Sequence, residues 1–343
     1  MKNIMDVFPR YLKTGRPNKE EEKVYNEKVK LFVEKLIEID NGVDFKAGVR
    51  GWCYILEKYG LPKSDFDKAQ LDINKLRRNG DIPNGFFAGD VSRSFVCIEG
   101  AADDENVEEY AESIIEDIKY SHLYYKPFSK WEHQKYFIQM LVEKADLVSL
   151  FEKLCKQFSI PLTSGKGWSG IGQRKQIIHK FKQYESEGKI PVLLYCGDFD
   201  PKGLEISKAM RKNLDDLEGA TGWNTQNLII DRFGLNYDFI KEAELTWIDN
   251  LETSSKNKIN DLSDPKHRDH HQEYVQTYLK RYGARKCEAN ALVTAPEMGR
   301  KLCLDSILKY LDQDILDNYW EETRAEQFKV RKLIPGLLEE SLK

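Results

Sequence analysis

The spacing of apolar residues changes near residue 137, from helical periodicities before it to short apolar runs alternating with helices after it. Between about Lys19 and Ile39, Val24, Val29, Leu31, Phe32, Leu36 and Ile37 form a rough helical stripe that Asn41-Gly42 closes. Pro9 and the Thr14-Gly15-Arg16-Pro17 turn precede it. Val49, Trp52, Cys53 and Leu56 recur at i, i+3, i+4 and i+7 and predict a helix from near Gly48, stopped by Gly60-Leu61-Pro62. A second helix is predicted from about Ser64 to Arg78, with a turn at Asn79-Gly80. A turn-rich stretch follows, holding Ile82, Phe86-Phe87 and Phe95-Val96-Cys97-Ile98, and the whole fits a helix-turn-helix core with a wing.

After the change, residues 137–142, 159–163, 190–196 and 227–231 read as buried strands, separated by predicted helices over 144–157, 170–186 and 202–216. Such alternation implies a mostly parallel sheet with helices on its faces. The remainder, from about 235, is helical and charged and has no repeats. The expected organisation is an N-terminal helical arm (1–42), a small helical domain with an acidic connector (43–118), a parallel α/β domain (119–235) and a helical extension of it (236–343).

Composition narrows the classes. Of 343 residues 41% are hydrophobic, enough for at least one substantial core, yet no apolar run is long enough to span a membrane. The start lacks the apolar stretch of a secretory signal, and six scattered cysteines without a CxxC pair suggest free thiols in a reducing compartment. The expectation is a cytoplasmic chain without a membrane partner. The net charge of −4 conceals a polarity: residues 101–118 hold eight acids and no Lys or Arg, while 119–190 hold thirteen Lys and Arg against six acids. Such a stretch permits a polyanionic partner, while solvated faces on ordinary helices are the plainer reading of charge alone.

The strongest local feature is Gly197-Asp198-Phe199-Asp200-Pro201-Lys202-Gly203, directly after the third strand. Asp198 and Asp200 stand at a strand's carboxyl end, where open α/β sheets bind ligands, and Glu143 closes the first strand in the same way. Three carboxylates there make a hard-oxygen site suited to Mg²⁺, against the alternative that Asp198 caps the next helix and Glu143 is a surface acid. Gly165-Lys166-Gly167-Trp168-Ser169-Gly170 matches the dinucleotide fingerprint GxGxxG, but the acid ending the next strand comes too late for a ribose contact. At about 100° per residue, Tyr54 and Arg50 fall off the face of Val49, Cys53 and Leu56 and are i, i+4 neighbours. An arginine there can hold a phosphate in line for attack by the tyrosine; a half-exposed structural tyrosine is the plain alternative. His267, His270 and His271 with Asp269 suggest a metal cluster by composition, but their polar surroundings favour a solvated loop.

Together, Glu143 and the Gly197–Gly203 segment resemble the Toprim domain of the topoisomerase VI A subunit and its relative, the meiotic double-strand-break protein. Val49-Arg50-Gly51-Trp52-Cys53-Tyr54 resembles that family's arginine-x-x-x-tyrosine segment, with Cys53 in place of the usual aromatic before the tyrosine. Arg77-Arg78-Asn79-Gly80-Asp81-Ile82-Pro83, Asp90-Val91-Ser92-Arg93, Arg281-Tyr282-Gly283 and Cys287-Glu288-Ala289-Asn290-Ala291-Leu292 are similar to stretches of short, stand-alone A-like proteins. The resemblance covers about residues 43–310.

It implies an α/β plus all-α fold: an N-terminal winged-helix (helix-turn-helix) domain, then a Toprim-like parallel α/β domain with a helical C-terminal extension. It further implies Tyr54 as nucleophile on double-stranded DNA with Arg50 beside it, and Mg²⁺, or Mn²⁺ in its place, on Glu143, Asp198 and Asp200. Arg77, Arg78, Arg93 and Lys166 would contact phosphates. In this family one protomer's tyrosine works beside the other's metal, which implies a homodimer; strand passage would need a separate ATPase B-type subunit. The setting would be cytoplasmic and nucleoid-associated. Three alternatives stand beside it: a Toprim nuclease using water, a DNA-binding subunit that does not cleave, and an oxidoreductase built on GxGxxG.

Overall fold

The computed structural model describes residues 3–9, 18–82, 86–88, 106–165, 170–253 and 259–341. Two compact units make up the chain: Met1–Gly89 with Ile138–Ile307, and Asp90–Phe137 with Leu308–Lys343. The expected wing residues 95–98, with Cys97, lie outside the described residues.

In the first unit α1 (Lys19–Asp40) opens on a capping box, Asn18 accepting from the Glu21 amide and Glu21 returning to the Asn18 amide. It buries Val29, Phe32, Leu36 and Ile39, while Val24, Leu31 and Ile37 of the expected stripe are exposed. Helix α2 (Val49–Glu57) begins at Gly48, as the spacing predicts, and α3 (Phe66–Asn79) ends on Gly80, whose φ of 82° is the left-handed position a glycine takes without cost. All residues from Gly51 to Leu56 are buried, so the assumption of a single core face fails for α2. It packs on α3 and also on the 3₁₀ turn Ala289–Thr294, far along the chain. Asp146 fastens its start from outside, accepting from the Gly48 amide at 2.5 Å.

Helix α4 (Val107–Tyr120), the described part of the acidic stretch, belongs to the second unit and buries none of its residues. The α/β part then runs β1 (Tyr136–Val142), α5 (Ala145–Phe158), β2 (Leu162–Ser164), α6 (Ile171–Ser186), β3 (Ile190–Cys196), α7 (Pro201–Leu204), α8 (Ile206–Asp215), α9 (Glu218–Thr221) and β4 (Ile229–Gly234). Strand β2 starts later than predicted because Ser159, in the left-handed region at φ 55°, and Ile160 are spent closing α5. The sheet order is β2-β1-β3-β4, with β1–β2 and β3–β4 paired in parallel. Central strands β1 and β3 are buried almost end to end, which is why they read as unbroken apolar runs. The chain passes from β1 to β2 on one side, then crosses to β3 on the other. The order therefore reverses between β1 and β3, and their carboxyl ends flank the crevice where such sheets bind ligands.

Helices α10 (Tyr237–Glu242), α11 (Glu273–Tyr282) and α12 (Pro296–Leu308) follow, and α13 (Gln313–Ser341) packs on the 3₁₀ turn Ser121–Tyr124 within the second unit. Among the described residues no helix is long and apolar enough to cross a membrane. Cys53, Cys155, Cys196, Cys287 and Cys303 are buried and unpaired.

Candidate active site

Glu143 follows the last residue of β1, and Asp198 stands two past the end of β3. The Asp198 amide donates to Glu143 Oε2 at 2.8 Å, and the Tyr195 hydroxyl donates to the same oxygen at 3.1 Å. A Cβ on Gly197 would collide with both the Tyr195 hydroxyl and Glu143 Oε2, so this motif glycine is required by the close approach of the carboxylate. Asp200 Oδ1 accepts from the Gly203 amide at 2.5 Å, which makes Asp200, and not Asp198, the cap of the short helix α7.

The spacing of the two aspartates has a strand's logic. Residues 199 and 287 form an antiparallel bridge, Phe199 N donating to Cys287 O at 2.8 Å and Cys287 N to Phe199 O at 3.0 Å. Extended backbone alternates its side chains, so Phe199 faces one way, into Tyr237, Trp247, Tyr278 and Tyr282, with Asp198 and Asp200 facing the other. Glu143, Asp198 and Asp200 line one pocket of about 220 Å³ with Tyr195, Lys202 and Gly203. Among the described residues no group of three or more His, Cys, Asp or Glu forms a ready metal cage. Two carboxylates of the three converge, Glu143 and Asp198, and their oxygens are the hard donors a Mg²⁺ ion takes.

Sequence reasoning missed what holds this site. Lys144 Nζ sits 2.9 Å from Glu143 Oε1 and 2.7 Å from Asp198 Oδ2. Burial, then the neighbouring Glu143 charge, outweighs Lys144 and pushes Asp198 up to about 7. Burial acts on Glu143 too, but there Lys144 and the Asp198 amide prevail and keep it below the usual carboxylate range. Arg232 on β4 clips the turn from beneath, donating to Asp198 O at 2.9 Å, Gly203 O at 2.9 Å and Leu235 O at 2.7 Å. A lysine adjoining a strand-end acid was a visible signal; Arg232 had none.

Tyr54 is fully buried, which corrects the expected place off the core face and the half-exposed alternative alike. Its hydroxyl donates to Glu288 Oε2 at 2.8 Å, and Arg50 donates to both Glu288 oxygens from 3.1 to 3.3 Å and to Asp67 at 3.1 Å. Lys63 lies 4.9 Å above the Tyr54 ring, and Phe66 packs edge-on at 5.0 Å. Burial first, then Glu288, raises the Tyr54 hydroxyl far above the ordinary tyrosine value, so the phenol is held protonated. The next residue, Ala289, donates its amide to Asp198 Oδ1 at 2.7 Å. Tyr54 and the carboxylate pocket are thus tied to consecutive residues of one segment.

The other expected residues scatter. Arg77 and Arg78 are exposed in the last turn of α3, where the helix dipole favours cations; Arg77 stacks on Phe87 at 4.7 Å. Arg93 and Lys166 lie outside the described residues. The histidines are not gathered in a solvated loop: His267 is buried and accepts from the Asp269 amide, His270 pairs with Leu262 O, and only His271 is exposed. Asp269 pairs instead with Arg268 and Lys202. Compared with known proteins, the chain matches no family model, no curated protein and no solved structure.

Proposed function

We propose that this chain is a magnesium-dependent DNA-cleaving enzyme of the topoisomerase VI A-subunit kind, a winged-helix and Toprim protein acting on duplex DNA as a homodimer. One observation carries the reading: Glu143, Asp198 and Asp200 line a single pocket where the strand order of a parallel sheet reverses. A separate ATPase subunit and association with the nucleoid belong to the same proposal.

Glu143 and Asp198, with Asp200 lining the same pocket, would hold Mg²⁺, or Mn²⁺ in its place, to neutralise charge on a phosphate oxygen. The chain's own residues supply the rest. Tyr54 Oη bonds to phosphorus while the bond to the 3′ oxygen breaks, which leaves a 5′ phosphotyrosyl link and a 3′ hydroxyl. The phenolic proton passes to Glu288, its partner at 2.8 Å, and the leaving oxygen takes one from solvent. Arg50, committed to Glu288 and Asp67, orients the acceptor more than the phosphate. Arg77 and Arg78 are available to the DNA backbone.

A second reading is favoured by one observation, the complete burial of Tyr54: a metal-dependent nuclease that uses water and leaves the tyrosine structural. Supercoiled plasmid with Mg²⁺ or Mn²⁺, stopped in detergent and run with and without proteinase K, separates the two. Protein-linked 5′ ends that vanish in Tyr54→Phe and in Asp198→Ala support the transesterase. Free ends that survive Tyr54→Phe but not Asp198→Ala support the nuclease. Salt-dependent duplex binding without cleavage in either metal leaves a DNA-binding subunit.

A further inference from the structure

The oxygens of Glu143 and Asp198 are of two kinds. Glu143 Oε2 is pinned by the Asp198 amide and the Tyr195 hydroxyl, and Asp198 Oδ1 by the Ala289 amide. These donors fix the planes of both carboxylates. The other two oxygens, Glu143 Oε1 and Asp198 Oδ2, converge on one atom, Lys144 Nζ, at 2.9 and 2.7 Å. The oxygens left over for a cation are therefore the two that the ammonium already holds. A hard divalent ion taking them would stand about 2 Å from each, in the volume the ammonium fills.

We propose that Lys144 is the built-in counter-ion of this site, that it and a divalent cation occupy the Glu143–Asp198 pair in turn, and that Lys144 thereby sets the site's metal affinity. The proposal rests on the metal-dependent reading above. Its physical basis is the cost of two like charges set close together and largely out of water, with the Glu143 and Asp198 side chains 31% and 15% exposed. With no metal bound, Lys144 offsets that repulsion. Its side chain is 27% exposed and ends a flexible four-carbon stem, so the ammonium has a route to solvent when the metal arrives.

The test is Mn²⁺ titration calorimetry on the full chain without DNA, comparing wild type, Lys144→Met and Lys144→Arg. The expected result is binding about tenfold tighter or more in Lys144→Met, where the competitor is gone, and unchanged in Lys144→Arg, where the charge remains. The gain should disappear when Asp198→Asn is added to Lys144→Met; a gain that persists places the ion elsewhere and overturns the proposal. Equal or weaker binding in Lys144→Met overturns it while leaving the metal reading intact. Absence of Mn²⁺ binding in every variant overturns both. A second measurement needs no variant: amine acetylation of the wild-type chain, read by mass spectrometry. Lys144 should be modified faster with saturating Mn²⁺ than without it, and an unchanged rate overturns the exchange even where Lys144→Met does not fold.

Discussion

The Tyr54 hydroxyl donates to Glu288 at 2.8 Å across 234 positions of sequence. The bond closes a buried set in which Arg50 neutralises Glu288 and Phe66 covers the ring. Tyr54→Phe removes one donor from a largely buried carboxylate that still keeps Arg50. The expected loss is about 1–2 kcal/mol of folding stability, read by urea denaturation. Unchanged stability would mean that the hydroxyl is not bonded to Glu288 in solution.

Arg232 should matter more than its place on β4 suggests. Arg232→Met strips the donors from three carbonyls, those of Asp198, Gly203 and Leu235. A loss of about 3 kcal/mol is expected in the same denaturation measurement. Arg232→Lys should recover only part of it, since one ammonium does not reproduce the fork of a guanidinium.

Gly197→Ala brings a methyl against the Tyr195 hydroxyl and the Glu143 carboxylate, both fixed by other bonds. Overpacking of this kind costs about 1–3 kcal/mol, read as a lower melting temperature. Gly219→Ala, in helix α9 with nothing within 4 Å, should leave it unaltered or raise it slightly and serves as the control.

In the second unit, Lys130 Nζ lies 4.2 Å from the Trp320 ring, and burial, followed by repulsion from Lys126, brings its ammonium down to about 8. Below that pH the lysine is charged in both folded and unfolded chains, and the folded state bears the penalty. Between about 8 and the ordinary lysine value of about 10.4, the folded chain has released a proton that the unfolded chain still holds, so this group makes stability rise with pH. Melting temperatures taken across that window should climb less in Lys130→Met than in wild type. Parallel curves would exclude the assignment.

The sequence revealed β3 residue for residue, because a fully buried parallel strand is an uninterrupted apolar run and Ile190–Cys196 is one. The starts of α2 and α6 were equally legible. That Glu143, Asp198 and Asp200 share one pocket was legible because all three stand at or just beyond strand ends, where open sheets bind ligands. Tyr54 was misjudged for a definite reason: periodicity reveals one packing face, whereas α2 has α3 on one side and Ala289–Thr294 on another. Glu288 and Arg232 also act through bonds spanning from 29 to 238 positions, and Lys144 reaches Asp198 across 54, to partners that local pattern does not disclose.

Glu288 and Ala289 are neighbours along the backbone, yet one holds the phenol and the other an oxygen of Asp198. A peptide unit moves as a rigid plane, so a backbone shift at Glu288 that loosens its hold on Tyr54 also carries the Ala289 amide away from Asp198. The phenol and the acid hang from one lever: a shift of that backbone which loosens the first slackens the second in the same stroke.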